Sequence, residues 1–217
     1  MDKEKVINNT VEYVKETLGA DGTGHDWWHI YRVWSMSKEL AKDEKVDTYV
    51  VELAALLHDI ADFKFNDGDE LKGGRITSEW LESQSVDKET IEKVVHIVNN
   101  VSFKGSADKN GMQSAEGFVV QDADRLDAMG AIGIARCFAY GGYKGVEIFN
   151  PEKQFRENVT KEQYKLTTPP SINHFYEKLL LLKDLMNTKA GKNMADKRHN
   201  FMLDYLEEFY KEWDGKK

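Results

Sequence analysis

Histidines and aspartates standing inside otherwise apolar helical runs constrain this chain more than any other feature. His29 lies in GHDWWHIYRV, the pair His58-Asp59 falls near the end of VVELAALLHDIAD, and Asp124 sits within FVVQDADRLDAMGAIGIA. A carboxylate taken out of water alone is expensive, so such a group is neutralised, paired or bound to a cation. Three apolar helical segments that each carry a metal-capable group inward point to one shared ion. A metal-dependent hydrolase is the expectation.

Helical periodicity dominates the chain, with no alternating strand pattern and no internal repeat. Helices are expected over about 3–18, from Asp26 through Ala41, from an Asp47 cap to about Asp62, near 75–84, and from Asp87 to about Phe103. A long apolar helix is expected over about 115–139, with two terminal helices beginning at Ser171 and covering roughly 190–213. GADGTG, FKFNDGDELKGG and KGSADKNG read as loops, and the stretch 140–170 as a long connection of the kind that often forms a lid. The expected fold is all-α: one helical-bundle domain over 1–217 with that long connection and two C-terminal helices.

The bulk numbers narrow the function without choosing it. At 217 residues, with 41% hydrophobic and 31% charged residues, one globular domain is the default. A net charge of −8 speaks against a nucleic-acid partner, because phosphate backbones are held by clustered Lys and Arg. The single cysteine, Cys137, excludes an intramolecular disulfide and disfavours a Cys-rich zinc site. No signal-peptide core and no membrane-length apolar stretch occur, so a cytoplasmic protein without a membrane partner is expected.

Around the candidate ion, spacing does part of the sorting. Asp62 follows His58 by four residues and Asp59 by three, so on a helix all three side chains share one patch. Aspartates at a helix C-terminus oppose the macrodipole and call for a compensating cation. HDWWH places His25 four residues before His29, as in the HExxH zinc proteases, but the second position is Asp26 and the glycines at 22 and 24 put His25 outside regular helix. In QDADRLDA, at least one of Asp122, Asp124 and Asp127 is expected to reach the ion, with Arg125 and Arg136 available to pair with the others.

This ordered set H…HD…D, in helical contexts running from GHDWWHIYRV through ALLHDIADFKF and VVQDADRLDAMGAIGIAR to SINHFYEKLLLLKDLM, resembles the HD-domain superfamily of metal-dependent phosphohydrolases. It is most similar to small stand-alone bacterial members that act on nucleotides. The resemblance implies His29, His58, Asp59 and Asp124 as metal ligands, Asp124 being the aspartate in the matching ADR position. It also implies Asp62 as the general acid or base, where many members carry a glutamate. The GYP signature of the cyclic-dinucleotide branch is missing.

Two imidazoles and two carboxylates suit manganese foremost, with magnesium, cobalt, nickel or iron as alternatives. Arg32 and Arg125, beside ligands in sequence, and His96 in IEKVVHIVNN are candidates for holding a substrate, because guanidinium groups suit phosphate. Lys104 and Lys144 read better as ordinary surface charges. The expected partner is a nucleotide: a nucleoside or deoxynucleoside triphosphate split to monophosphate and pyrophosphate. The alternatives are a deoxynucleoside monophosphate losing phosphate, or a non-catalytic ligand-sensing module. A homodimer stays open.

Overall fold

The computed structural model describes residues 2–18, 26–61, 69, 71–101, 111–156 and 168–216. Among these residues the regular structure is all helical, with no strand. In chain order the helices are α1 (Lys3–Leu18), α2 (Trp27–Ala41), α3 (Thr48–Leu57), α4 (Lys72–Ser83), α5 (Lys88–Asn100), α6 (Ala115–Asp127), α7 (Gly130–Lys144) and α8 (Ser171–Glu177). A 3-10 segment, Leu179–Leu185, then leads to α9 (Lys189–Trp213). None of the described helices is long and apolar enough to cross a membrane. The chain forms two compact units, and the division falls within α6, after Asp124.

In the first unit α3 is apolar on all sides, and it packs against α1, α2 and α5. Its start is set by Asp47, whose carboxylate accepts from the Tyr49 backbone N–H at 3.0 Å. Asp87 begins α5 in the same way, accepting from the Thr90 N–H at 3.0 Å. Val14, Ile30, Val33, Leu40, Leu53 and Leu56 fill the core between these helices.

Four boundaries differ from the sequence-based expectation. Helix α3 ends at Leu57, and residues 58–61 form a turn in which the Ile60 N–H bonds the Leu57 carbonyl at 3.1 Å. Asp62, which its spacing would place on a shared helical face with His58 and Asp59, lies outside the described residues. Helix α4 begins at Lys72, so Gly73 and Gly74, assigned to a loop, are helical. They allow close approach: a Cβ on Gly74 would stand 2.4 Å from the Asn99 Oδ1, and one on Gly73 3.4 Å from a Val98 methyl. The continuous helix expected over 115–139 is broken at Ala128–Met129, because Gly130 starts α7 at φ 68, a left-handed value that stops α6. Helix α7 then runs through Gly141 and Gly142 to Lys144, shortening the long connection, and Gly145 at φ 64 closes it.

The second unit buries Leu126, Met129, Ile172, Phe175, Leu182 and Met202. Two arginines cap carbonyls in it. Arg198 on α9 donates to the Leu126 carbonyl at the end of α6, and Arg125 donates to the Leu185 carbonyl. Residues 145–156, part of the long connection, are tied to α8 by hydrogen bonds. The Ser171 and Ile172 N–H groups bond the carbonyls of Glu147 and Ile148 at 3.0 Å each, and the Asn173 amide donates to the Lys153 carbonyl at 2.9 Å. Arg156 closes the strap, its guanidinium fork reaching Glu177 at 2.5–3.1 Å.

Candidate metal centre

Three elements of the first unit deliver the site. Asp26 caps α2 and fixes the first turn, which carries His29 as its third residue. The end of α3 carries His58, and the turn after it carries Asp59. The last described turn of α6 in this unit carries Asp124.

The His58 ring is held by the helix it terminates. Its Nδ1 lies 2.8 Å from the Ala55 carbonyl, one of the four C-terminal carbonyls that an α-helix leaves without an intrahelical partner. Against a carbonyl the Nδ1 can only donate, so the neutral ring turns a bare Nε2 lone pair into the cluster. That Nε2 stands 3.2 Å from the Nε2 of His29, which is wholly buried.

Two carboxylates stand beside the two imidazoles. Asp59 Oδ2 lies 3.4 Å from His29 Nε2 and 3.8 Å from His58 Nε2. Asp124 Oδ1 lies 3.6 Å and 3.9 Å from the same two atoms. The donor atoms of His29, His58 and Asp59 all fall within 4.8 Å of one another. A cation with bonds of about 2.1 Å holds neighbouring donors about 3.0 Å apart at right angles and about 3.4 Å apart in a tetrahedron. The observed separations match that range, slightly expanded. The chemistry agrees with the distances: Asp59 is 8% exposed, and a second carboxylate faces the same two rings. Without a positive charge at the centre, nearby like charges are brought together out of water.

The remaining candidates separate clearly. Asp127 pairs with Arg136 at 2.6 Å, as one member of the trio was expected to do, and Asp122 is wholly buried on α6. Arg32 is half-buried on α2, one turn after His29. Arg125 is buried, with its guanidinium on the Leu185 carbonyl. His96 is exposed on α5 and its own carbonyl accepts from the Asn100 amide at 2.8 Å, so it takes no part in the four-residue cluster. Lys144 lies over the rings of Tyr140 and Tyr143, 5.6 and 5.3 Å from their centres. His25 and Lys104 lie outside the described residues. Sequence reasoning missed the Ala55 carbonyl, which no side chain announces.

Comparison with known proteins agrees with this geometry. The family model described as HD domain matches residues 27–129, a span containing all four of these residues. Bacillus subtilis YpgQ is 38% identical over 205 residues, covering 94% of this chain and 91% of that protein. A crystal structure of YpgQ in complex with ADP superposes with a TM-score of 0.78 at 34% identity, covering 98% of this chain and 97% of that one. An HD-superfamily hydrolase from Bacillus thuringiensis gives a TM-score of 0.77 at 45% identity, covering 98% of both chains. A Lactobacillus plantarum protein of known structure gives 0.88 at 37% identity, covering 99% and 100%. On a match that extends over nearly the whole of both chains and includes the histidine–aspartate cluster, this protein belongs to the HD-domain family and is an HD-superfamily hydrolase.

Proposed function

We propose that the protein is a divalent-metal-dependent phosphohydrolase of nucleotides, acting as one domain over 1–217 and cleaving nucleoside or deoxynucleoside triphosphates to monophosphate and pyrophosphate. The observation that carries this reading is the cluster of His29, His58 and Asp59, whose donor atoms all lie within 4.8 Å of one another, with Asp124 Oδ1 3.6 and 3.9 Å from the two imidazole nitrogens. The ADP complex of YpgQ supports a nucleotide as the ligand class.

In this reading His29, His58, Asp59 and Asp124 hold the cation, with Mn2+ as the first choice for a set of two nitrogen and two oxygen donors. A cation bound there supplies Lewis acidity at the phosphoryl group and a more acidic water. The chain's own residues do the rest. His58, pinned by Ala55, keeps its Nε2 available without a rotamer search. Arg32, Arg125 and His96 are assigned to the substrate. Arg32 is favoured because Arg125 already commits a guanidinium N–H to Leu185 and His96 faces solvent. Asp62, close behind the ligand pair in sequence, is assigned the proton transfer to the leaving group.

The test is product identification. Metal-stripped protein reloaded with Mn2+ is given a panel of ribo- and deoxynucleotides, with products resolved by phosphorus NMR. Pyrophosphate from triphosphates, absent with Asp59→Ala, is expected. Orthophosphate from deoxynucleoside monophosphates would favour the phosphatase reading. Nucleotide binding without any turnover would leave a ligand-sensing module.

A further inference from the structure

Building on that reading, we infer that Asp26 is a positioning residue for the metal: its carboxylate, by capping α2, holds the His29 imidazole at coordinating distance. His29 occupies a precarious place. It is the third residue of α2, in the turn whose backbone N–H groups have no intrahelical acceptor and which frays first. Asp26 meets that need directly. Its backbone is extended at φ −94 and ψ 176, its Oδ1 accepts from the His29 N–H at 3.0 Å, and its own carbonyl lies 3.1 Å from the same N–H. The capping bond therefore ends on the ligand residue itself.

The rest of α2 does not depend on that bond. Val33 and Leu40 are wholly buried and anchor the helix body; in the first turn Ile30 is also buried, whereas Trp28 is 60% exposed. Loss of the cap thus loosens the turn carrying His29 while leaving the core contacts of α2 in place. A bound metal holds its donor atoms within about 0.2 Å of set bond lengths, so the placement of each ligand bears on affinity. Metal affinity is consequently the property most sensitive to Asp26, ahead of folding.

Full-length protein is titrated with Mn2+, free ion being read by electron paramagnetic resonance, alongside thermal unfolding of the metal-free form. Asp26→Ala is expected to weaken Mn2+ binding about fivefold, the factor equivalent to losing an N-cap. Asp26→Ser and Asp26→Asn, which keep a capping oxygen but not the charge, are expected to bind within about twofold of wild type. Unchanged affinity in Asp26→Ala overturns the inference, as does a loss in Asp26→Ser and Asp26→Asn matching that of Asp26→Ala. Should Asp26→Ala fail to fold, the Ser and Asn variants decide alone: weakened binding in both refutes capping as the cause. A wild-type protein that takes up no Mn2+ overturns the proposed function as well, so the two failures are distinguishable.

Discussion

Asp59→Ala should have opposite effects with and without metal, and the sizes can be worked out. A cation bound only by the folded protein at one hundred times its dissociation constant adds about 2.7 kcal/mol. For a chain of 217 residues each kcal/mol moves Tm by roughly 2–4 °C, giving a metal-dependent rise of about 5–11 °C in wild type. Asp59 is one of the four proposed donors, 3.4 Å from His29 Nε2 and 3.8 Å from His58 Nε2. Its removal is expected to abolish most of that rise. In chelator the sign differs. With no cation the site crowds two carboxylates around the same two rings, so replacing one by Ala relieves repulsion and leaves the metal-free Tm equal or higher. Differential scanning calorimetry in EDTA and in Mn2+ measures both. An undiminished metal-induced rise in Asp59→Ala would refute the reasoning, as would a metal-free variant destabilised as much as the metal-loaded one.

Four further outcomes follow from the second unit. Gly130→Ala is expected to cost about 1–2 kcal/mol, because Gly130 is left-handed at φ 68 and the added Cβ would crowd the Arg198 Cγ at 3.0 Å. Gly142→Ala, in open space on the same helix, should instead stabilise by about 0.5–1 kcal/mol, and urea midpoints read both. Glu177→Ala strips Arg156 of its fork and should cost about 2–3 kcal/mol in urea unfolding, with a loss under 0.5 kcal/mol counting against the strap's anchorage. Burial pushes the Cys137 thiol up to about 12, so a disulfide reagent at pH 8 should leave the native protein unmodified and react fully in urea.

Helix starts were legible wherever a short acidic side chain does the capping. Asp26, Asp47 and Asp87 announce α2, α3 and α5 because an Asp oxygen answers an orphan N–H locally, within three residues. Helix ends and breaks were not. The apolar run of FVVQDADRLDAMGAIGIA continues across Ala128–Met129, and nothing in its hydrophobicity marks Gly130 as the residue that must turn left-handed. Glycines misled in the other direction at 73–74 and 141–142, which are helical; Gly74 serves close approach to Asn99 and Gly141 to Ser171, while Gly142 faces open space.

The candidate site was more legible than the boundaries around it. His29, His58, Asp59 and Asp124 stand out because polar groups in apolar runs need a reason to be there; the structure groups the donor atoms of the first three within 4.8 Å and sets Asp124 Oδ1 3.6 Å from His29 Nε2. Their supports were invisible. The Ala55 carbonyl is a backbone group, and the Arg198 cap on α6 comes from far along the chain. Arg125 adjoins Asp124 in sequence, but successive helical residues diverge by about 100°, and its guanidinium goes to Leu185 while Asp124 turns to the histidines.

The central claim is that one divalent ion sits among two imidazoles and two carboxylates. Crystals grown with Mn2+ and measured at the manganese absorption edge test it most directly. The account predicts one strong anomalous peak about 2.0–2.3 Å from His29 Nε2, His58 Nε2 and oxygens of Asp59 and Asp124. A peak bound elsewhere, or a fully loaded protein with no density at that point, would contradict it.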